Sequence, residues 1–271
     1  MTTGGDDVVG RVVRLLHVPV KSLPGTEVEA LHLAAHGVVG DRRLVVVDSR
    51  DRVVTQRQHP SVATVSAEAD LDGDDVVRLR LSVRDGVDGE PVVADGPVVA
   101  DGSRLEPRLF GRDRPCRVVG GPFGELLGDV AGEPLRLALL DGPGLGWDDG
   151  PVSLLSSASR RWASDAAGEG AEDPRRWRMA VEVDGPDAHG EEAWVGQEVR
   201  CGAGPAGAVL RVLEPLGRCV VPSVDPGEGR RDRDVVRDLL ALRGRADLGV
   251  TAEVERPGVV RVGDPVRLLP G

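Results

Sequence analysis

Apolar and polar positions along the first 120 residues fall into short extended runs at 10–20, 28–34, 44–48, 52–58 and 76–83, either alternating or continuous and rich in β-branched side chains. Gly40-Asp41, Asp72-Gly73 and Asp95-Gly96-Pro97 punctuate them as turns. Strands this short and close predict a barrel or a sandwich. A short helix at 123–130 and a strand at 135–140 follow, then the glycine-rich run DGPGLGWDDG at 141–150, which suits a loop between domains or at a cofactor's edge.

The second half mixes helices and strands. Ser156 or Ser157 caps a helix running to about residue 167. Asp232 caps a second, in which Val235, Val236, Leu239, Leu240 and Leu242 share one face before Gly244 stops it. Strands are expected at 177–184, 194–200, 208–213, 218–224, 250–254 and 259–268. The acidic, glycine-rich stretch 168–173 is expected to be mobile. The fold class is therefore mainly β, with a few helices in a two-part α+β architecture.

Composition sharpens this picture. Apolar residues make up 40% of the 271 positions but aromatics only 2%, so Val, Leu and Ala must fill the interior, and the valine excess favours strands. A net charge of -11 sets the long-range field against nucleic acid and anionic membranes as general partners. No run approaches the roughly 18 apolar residues of a membrane span. The opening MTTGGDDVVGRVV also lacks the order of a signal peptide, which makes the cytoplasm the expected location. Cys116, Cys201 and Cys219 are an odd, scattered set without a CxxC pair, as expected of reduced thiols. His17, His32, His36, His59 and His189 form no ligand spacing.

Two residues invite chemistry. Lys21 is the one lysine among 34 basic residues, in HVPVKSLPG. Either it is a chance survivor at a strand end, or a compact ammonium is needed in a tight anion site. In LEPLGRCVVPSVDP, Cys219 follows Arg218 at what reads as the edge of a strand. A neighbouring guanidinium favours the thiolate that binds soft metals, while the plainer alternative is a buried cysteine acting as a small hydrophobe.

The segments HVPVKSLPG (17–25), VVGDRRLVVVD (38–48), VTQRQHP (54–60), PVSLLSSAS (151–159), WRMAVEVDG (177–185), LGRCVVPSVDP (216–226) and VRVGDPVRLL (260–269) occur here in the order seen in MOSC-domain proteins with an N-terminal β-barrel extension. The chain is similar in this to the amidoxime-reducing component family and to bacterial proteins acting on N-hydroxylated bases. The resemblance implies a MOSC N-terminal β-barrel-type domain over 8–120 and a MOSC domain over 121–271. It implies a molybdenum cofactor, a pyranopterin phosphate holding the metal through a dithiolene, with Cys219 as the protein's thiolate ligand and catalytic residue. Lys21, Ser22, Arg42, Arg178 and Arg218 would hold the anionic group. Pyridoxal phosphate binding is implied at the level of the family only.

By the same resemblance the activity is reduction of N-hydroxylated compounds such as amidoximes, hydroxylamines or N-hydroxylated bases. Electrons would come from a separate ferredoxin, flavoprotein or cytochrome, since no ferredoxin-like segment follows the VGDPVRLL strand. Gln56, Arg57 and Gln58 either support the pocket floor or are polar side chains at a strand end, and Asp149 and Asp225 lie in segments expected to approach the pocket. Three departures stand out: Leu216 where many relatives have a first cysteine, Met179-Ala180 in place of Pro-Asn, and Asp149-Gly150 before the apolar strand. A sulfur- or cofactor-handling module and a metal-free binding barrel are the alternatives.

Overall fold

In the computed structural model, which describes residues 7–84, 89–168 and 171–270, the first apolar run becomes the strand Asp7–His17. Val12, Leu15 and Leu16 turn inward from it while Arg11 and Val13 face solvent. It pairs antiparallel with Val181–Asp184 on one side and Pro265–Leu268 on the other. These two pairings close a seven-stranded barrel, in the order Val181–Asp184, Val152–Ser156, Asp247–Arg256, Ala208–Gly217, Glu198–Cys201, Pro265–Leu268 and Asp7–His17. Val152–Ser156 and Val181–Asp184 run parallel, and the helix Ser157–Ala167 supplies the crossover such a pair requires. Valine, leucine and alanine fill the interior, as a barrel of this size permits.

A second core lies between two sheets. One contains Leu44–Val47, Arg136–Leu140, Cys116–Val119 and Ala100–Leu105; the other Ser66–Asp72, Asp75–Arg84 and Pro91–Pro97. The helix Phe123–Ala131 packs Phe123, Leu126 and Leu127 into this core and ends at Gly132, whose φ of 75° suits a residue without Cβ. The two parts interleave. Asp7–His17 is a stave of the barrel built otherwise after residue 150, and Gly258–Arg261 pairs with Ala30–Ala34. The second core also draws on Phe123–Ala131 and Arg136–Leu140, beyond residue 120.

Several expected elements differ. The run 52–58 is no strand: Val53 makes a single bridge to Val47, Val54 N–H bonds to Val46 O, and the chain then turns, with the Gln58 side chain accepting from Thr55 N–H. The run 218–224 is no strand either. Arg218 N–H bonds to Ala246 O, and Val221–Ser223 coils into a 3-10 turn around Pro222, which has no N–H to donate to a ladder. The stretches 177–184 and 194–200 begin in turns and become strands only at Val181–Asp184 and Glu198–Cys201, while 259–268 is two strands, Gly258–Arg261 and Pro265–Leu268. Asp234, not Asp232, caps the helix Val235–Arg243 by accepting from Arg237 N–H. Only Val235 and Leu239 of that helix are buried, and Leu240 and Leu242 face solvent. Within 168–173, residues 169 and 170 lie outside the described residues. Among the described residues no helix is long and apolar enough to cross a membrane.

Candidate functional site

Past the first barrel strand the chain leaves the sheet, and backbone bonds tie residues 18–23 to 41–44. Arg42 N–H bonds to Val18 O at 2.6 Å, Leu44 N–H to Pro19 O at 3.0 Å and Lys21 N–H to Leu44 O at 2.8 Å. This lacing sets Lys21, Ser22 and Arg42 on one wall of a cavity of about 260 Å³ between the two cores. The Gln56 amide donates to Ser22 O at 2.6 Å and braces Ser22 from behind the cavity wall, Gln56 itself not lining the cavity. The glycine-rich loop closes against the same wall, because a Cβ at Gly146 would collide with the Arg42 carbonyl oxygen. That close approach lets Lys21 Nζ donate to Gly146 O at 2.9 Å and pair with Asp148 at 2.8 Å.

The opposite wall comes from the barrel. Arg176, fully buried, pairs with Asp225 and Asp232, each at 2.6 Å, and so fastens the turn carrying Trp177 and Arg178 to the loop that follows Cys219. Arg218 Nη2 donates to Trp177 O at 2.7 Å and strengthens the same junction. Leu216 and Met179, two of the sequence departures, belong to one apolar cluster with Trp177, and Leu216 and Trp177 also line the cavity.

Lys21, Ser22, Arg42, Arg178, Arg218 and Cys219 all line this one cavity, although they come from distant parts of the chain. Ser22, Arg42 and Arg178 have φ of 74°, 48° and 53°, three of the six non-glycine residues in the left-handed region among the described residues. Such backbone costs roughly 1–2 kcal/mol per residue and gathers where function demands a particular side-chain direction.

Electrostatics distinguish the cysteines. Burial pushes the Cys116 thiol up to about 11 and the Cys201 thiol to about 12, so both stay protonated and inert. Cys219 is exposed. Partial desolvation raises its pKa, but a hydrogen bond from Arg57, the Val221 N–H and the charges of Arg57 and Arg218 outweigh this and bring it below the ordinary thiol value. Cys219 therefore stands on a loop with Arg57 as its nearest cation, not at a strand edge beside Arg218 alone.

Five cations, Lys21, Arg42, Arg57, Arg178 and Arg218, line the cavity against two carboxylates, Asp148 and Asp149. Burial, opposed by Asp148, lowers Lys21 to about 8; burial and the Arg42 charge lower Arg178 to about 10. In both, loss of solvent is the larger cause, and Asp148 opposes it. Burial also opposes the charge on Arg42, but Asp41 and Asp148 prevail and raise it. Burial and the Asp148 charge raise the Asp149 carboxyl.

Among the described residues Arg42 Nε, Arg178 Nε and Nη2, Arg218 Nε and Trp147 Nε1 are buried donors without acceptors. Unmet donors of this kind suit an anionic group rich in oxygen, and the exposed, acidified thiol suits a soft metal. The residues present thus fit a metal-bearing anionic cofactor.

Asp148, Trp147 and Phe110 also line the cavity and were not singled out by the sequence. The WDDG string was the available signal for the first two, whereas nothing local marked Phe110. Arg57 lines the cavity with Cys219 and is the first of the groups that favour its thiolate. Asp225 is not among the cavity residues and is committed to Arg176.

Two family models match the chain. The model of the MOSC N-terminal beta barrel domain matches residues 9–95 and that of the MOSC domain residues 141–267. The mitochondrial amidoxime-reducing component 1 of Xenopus laevis is 27% identical over 95% of this chain and 82% of its own length. The human protein of the same name is 26% identical over 96% and 83%. Among solved structures, YuaD from Bacillus subtilis aligns over 96% of this chain and 94% of its own at 14% identity with a TM-score of 0.43. YiiM from Escherichia coli covers 49% and 59% at 20% identity with a TM-score of 0.34. The chain is a MOSC-domain protein that carries the MOSC N-terminal beta barrel domain and is similar to the amidoxime-reducing components.

Proposed function

We propose that the cavity holds a molybdenum cofactor of the pyranopterin phosphate type, with Cys219 as thiolate ligand, and that the protein reduces N-hydroxylated compounds. One observation carries the reading: the only exposed cysteine, acidified by Arg57, shares a cavity with buried arginine donors that have no acceptor among the described residues. Arg42 and Arg178 would hold the phosphate and pterin oxygens with Lys21 and Ser22, and Arg218 would keep the sulfur's loop against Trp177. Pyridoxal phosphate has no use for a thiolate at Cys219, so the sulfur favours the pterin group.

When bound, the cofactor supplies the two-electron redox chemistry that cleavage of an N–O bond requires. Reducing an N-hydroxyl consumes two electrons and two protons and releases water. Asp149, whose carboxyl is raised and lines the cavity, is placed to bring one of those protons. A separate redox protein of the ferredoxin, flavoprotein or cytochrome type would deliver the electrons, and the chain's net charge of -11 suits a basic docking surface on it.

The test is turnover. Protein from a host that makes the cofactor, given reduced methyl viologen, should convert benzamidoxime to benzamidine, and Cys219→Ser should not. Metal-loaded protein without turnover would overturn the reductase reading in favour of a sulfur- or cofactor-handling module.

A further inference from the structure

Phe110 sits where a phenylalanine is locally unwelcome. Arg108–Leu109 and Arg112–Asp113 form a tight hairpin in which Leu109 pairs with Arg112, leaving Phe110 and Gly111 as a two-residue loop. Their φ values are 50° and 77°. A loop with positive φ at both positions favours Asn-Gly, and a bulky aromatic in the first place is sterically disfavoured. The chain has two phenylalanines, and the other, Phe123, is fully buried in a core. Phe110 is 46% exposed, so hydrophobic burial does not explain the choice.

The ring's position does. Lys21 Nζ lies 4.7 Å from its centroid, and the residue lines the cavity together with Trp147 and Trp177. The hairpin belongs to the first half of the chain, yet its tip reaches the cavity that the barrel completes. Strain held at one residue in order to aim its side chain into a site is the pattern of a functional outlier.

We propose that Phe110 determines specificity, its ring forming a wall on which the flat part of a neutral, aromatic N-hydroxylated substrate stacks. This rests on the reductase reading above. A ring whose π electrons already face an ammonium is a poorer host for a second cation, yet a residue 46% exposed keeps apolar surface for a neutral aromatic group. Aryl substrates are therefore favoured over alkyl ones of the same reacting group.

The experiment compares benzamidoxime with acetamidoxime in wild type, Phe110→Asn and Phe110→Trp, using metal-loaded protein and reduced methyl viologen. Asn fits the turn, so Phe110→Asn should fold with an equal or higher Tm. Its benzamidoxime-to-acetamidoxime ratio of kcat/KM should still fall about fivefold to tenfold, the value of one aromatic pair, while Phe110→Trp keeps the ratio high. Binding of the two compounds to metal-free protein, followed by tryptophan fluorescence, should show the same loss of preference in Phe110→Asn. An unchanged ratio in both assays overturns the role of Phe110. If neither compound is reduced, the reductase reading fails, and the binding ratio still decides on Phe110.

Discussion

Replacing Lys21 with methionine should make the metal-free protein more stable. The ammonium is 3% exposed, and burial brings its pKa from the ordinary 10.5 to about 8 despite the bond to Asp148. At 1.36 kcal/mol per pH unit, this places the charged form at a disadvantage of about 3 kcal/mol in the folded state. Methionine has a similar length and carries no charge, and the part of the gain lost with Lys21's hold on the Asp148 carboxylate brings the net below about 3 kcal/mol. Below pH 8 lysine is protonated in both folded and unfolded chains, so the wild type bears the whole cost. Between pH 8 and 10.5 the unfolded chain binds the extra proton and the folded one does not, so wild-type stability gains on the variant as pH rises. Urea unfolding of both proteins at a series of pH values should show Lys21→Met ahead by about 1–3 kcal/mol at pH 7, the gap closing towards pH 10.5. A variant less stable than wild type at pH 7, or a gap independent of pH, would show that Lys21 serves folding and is not held in readiness for an anion.

Arg176→Met takes the buried cation from Asp225 and leaves Asp232 to Arg233 alone, and should cost about 3 kcal/mol of stability in urea unfolding, the low end for removing one partner of a buried ion network; a loss under 1 kcal/mol would speak against the network. Asp232 is lowered to about 2: although burial opposes its charge, Arg233 and Arg176 outweigh it. Its contribution should be present above about pH 4 and lost as pH falls towards 2, and the difference between wild type and Asp232→Asn should shrink over that window. In metal-free protein at pH 7.5, iodoacetamide should label Cys219 well before Cys116 and Cys201, as read by peptide mass mapping; equal labelling would remove the case for a thiolate.

Rarity made the site partly visible in the sequence. A single lysine and a cysteine beside an arginine stood out without any coordinates, and the ordered motifs around them supplied Ser22, Arg42 and Arg178. Side chains whose role depends on loop docking were hidden. Asp148 matters because Gly146 presses its loop onto Arg42, and Phe110 because a hairpin crosses to the barrel, and neither event leaves a local mark. The short β-branched runs predicted a barrel or a sandwich in the first 120 residues, but of those only Asp7–His17 joins the closed barrel, whose other strands follow residue 150 and whose closure depends on pairings more than 150 residues apart in sequence. The segment after Gly217 misled for a definable reason: Val220, Val221 and Val224 look like strand residues, yet Pro222 and the bond from Arg218 N–H to Ala246 O turn the chain into a loop. That loop is what exposes the sulfur.

X-ray absorption at the molybdenum edge, on wild type and Cys219→Ser made in a host able to synthesise the cofactor, probes the sulfur itself. Wild type should carry the metal with a coordination shell containing one more sulfur than that of Cys219→Ser. Molybdenum-free wild type, or sulfur shells identical in the two proteins, would contradict ligation by Cys219.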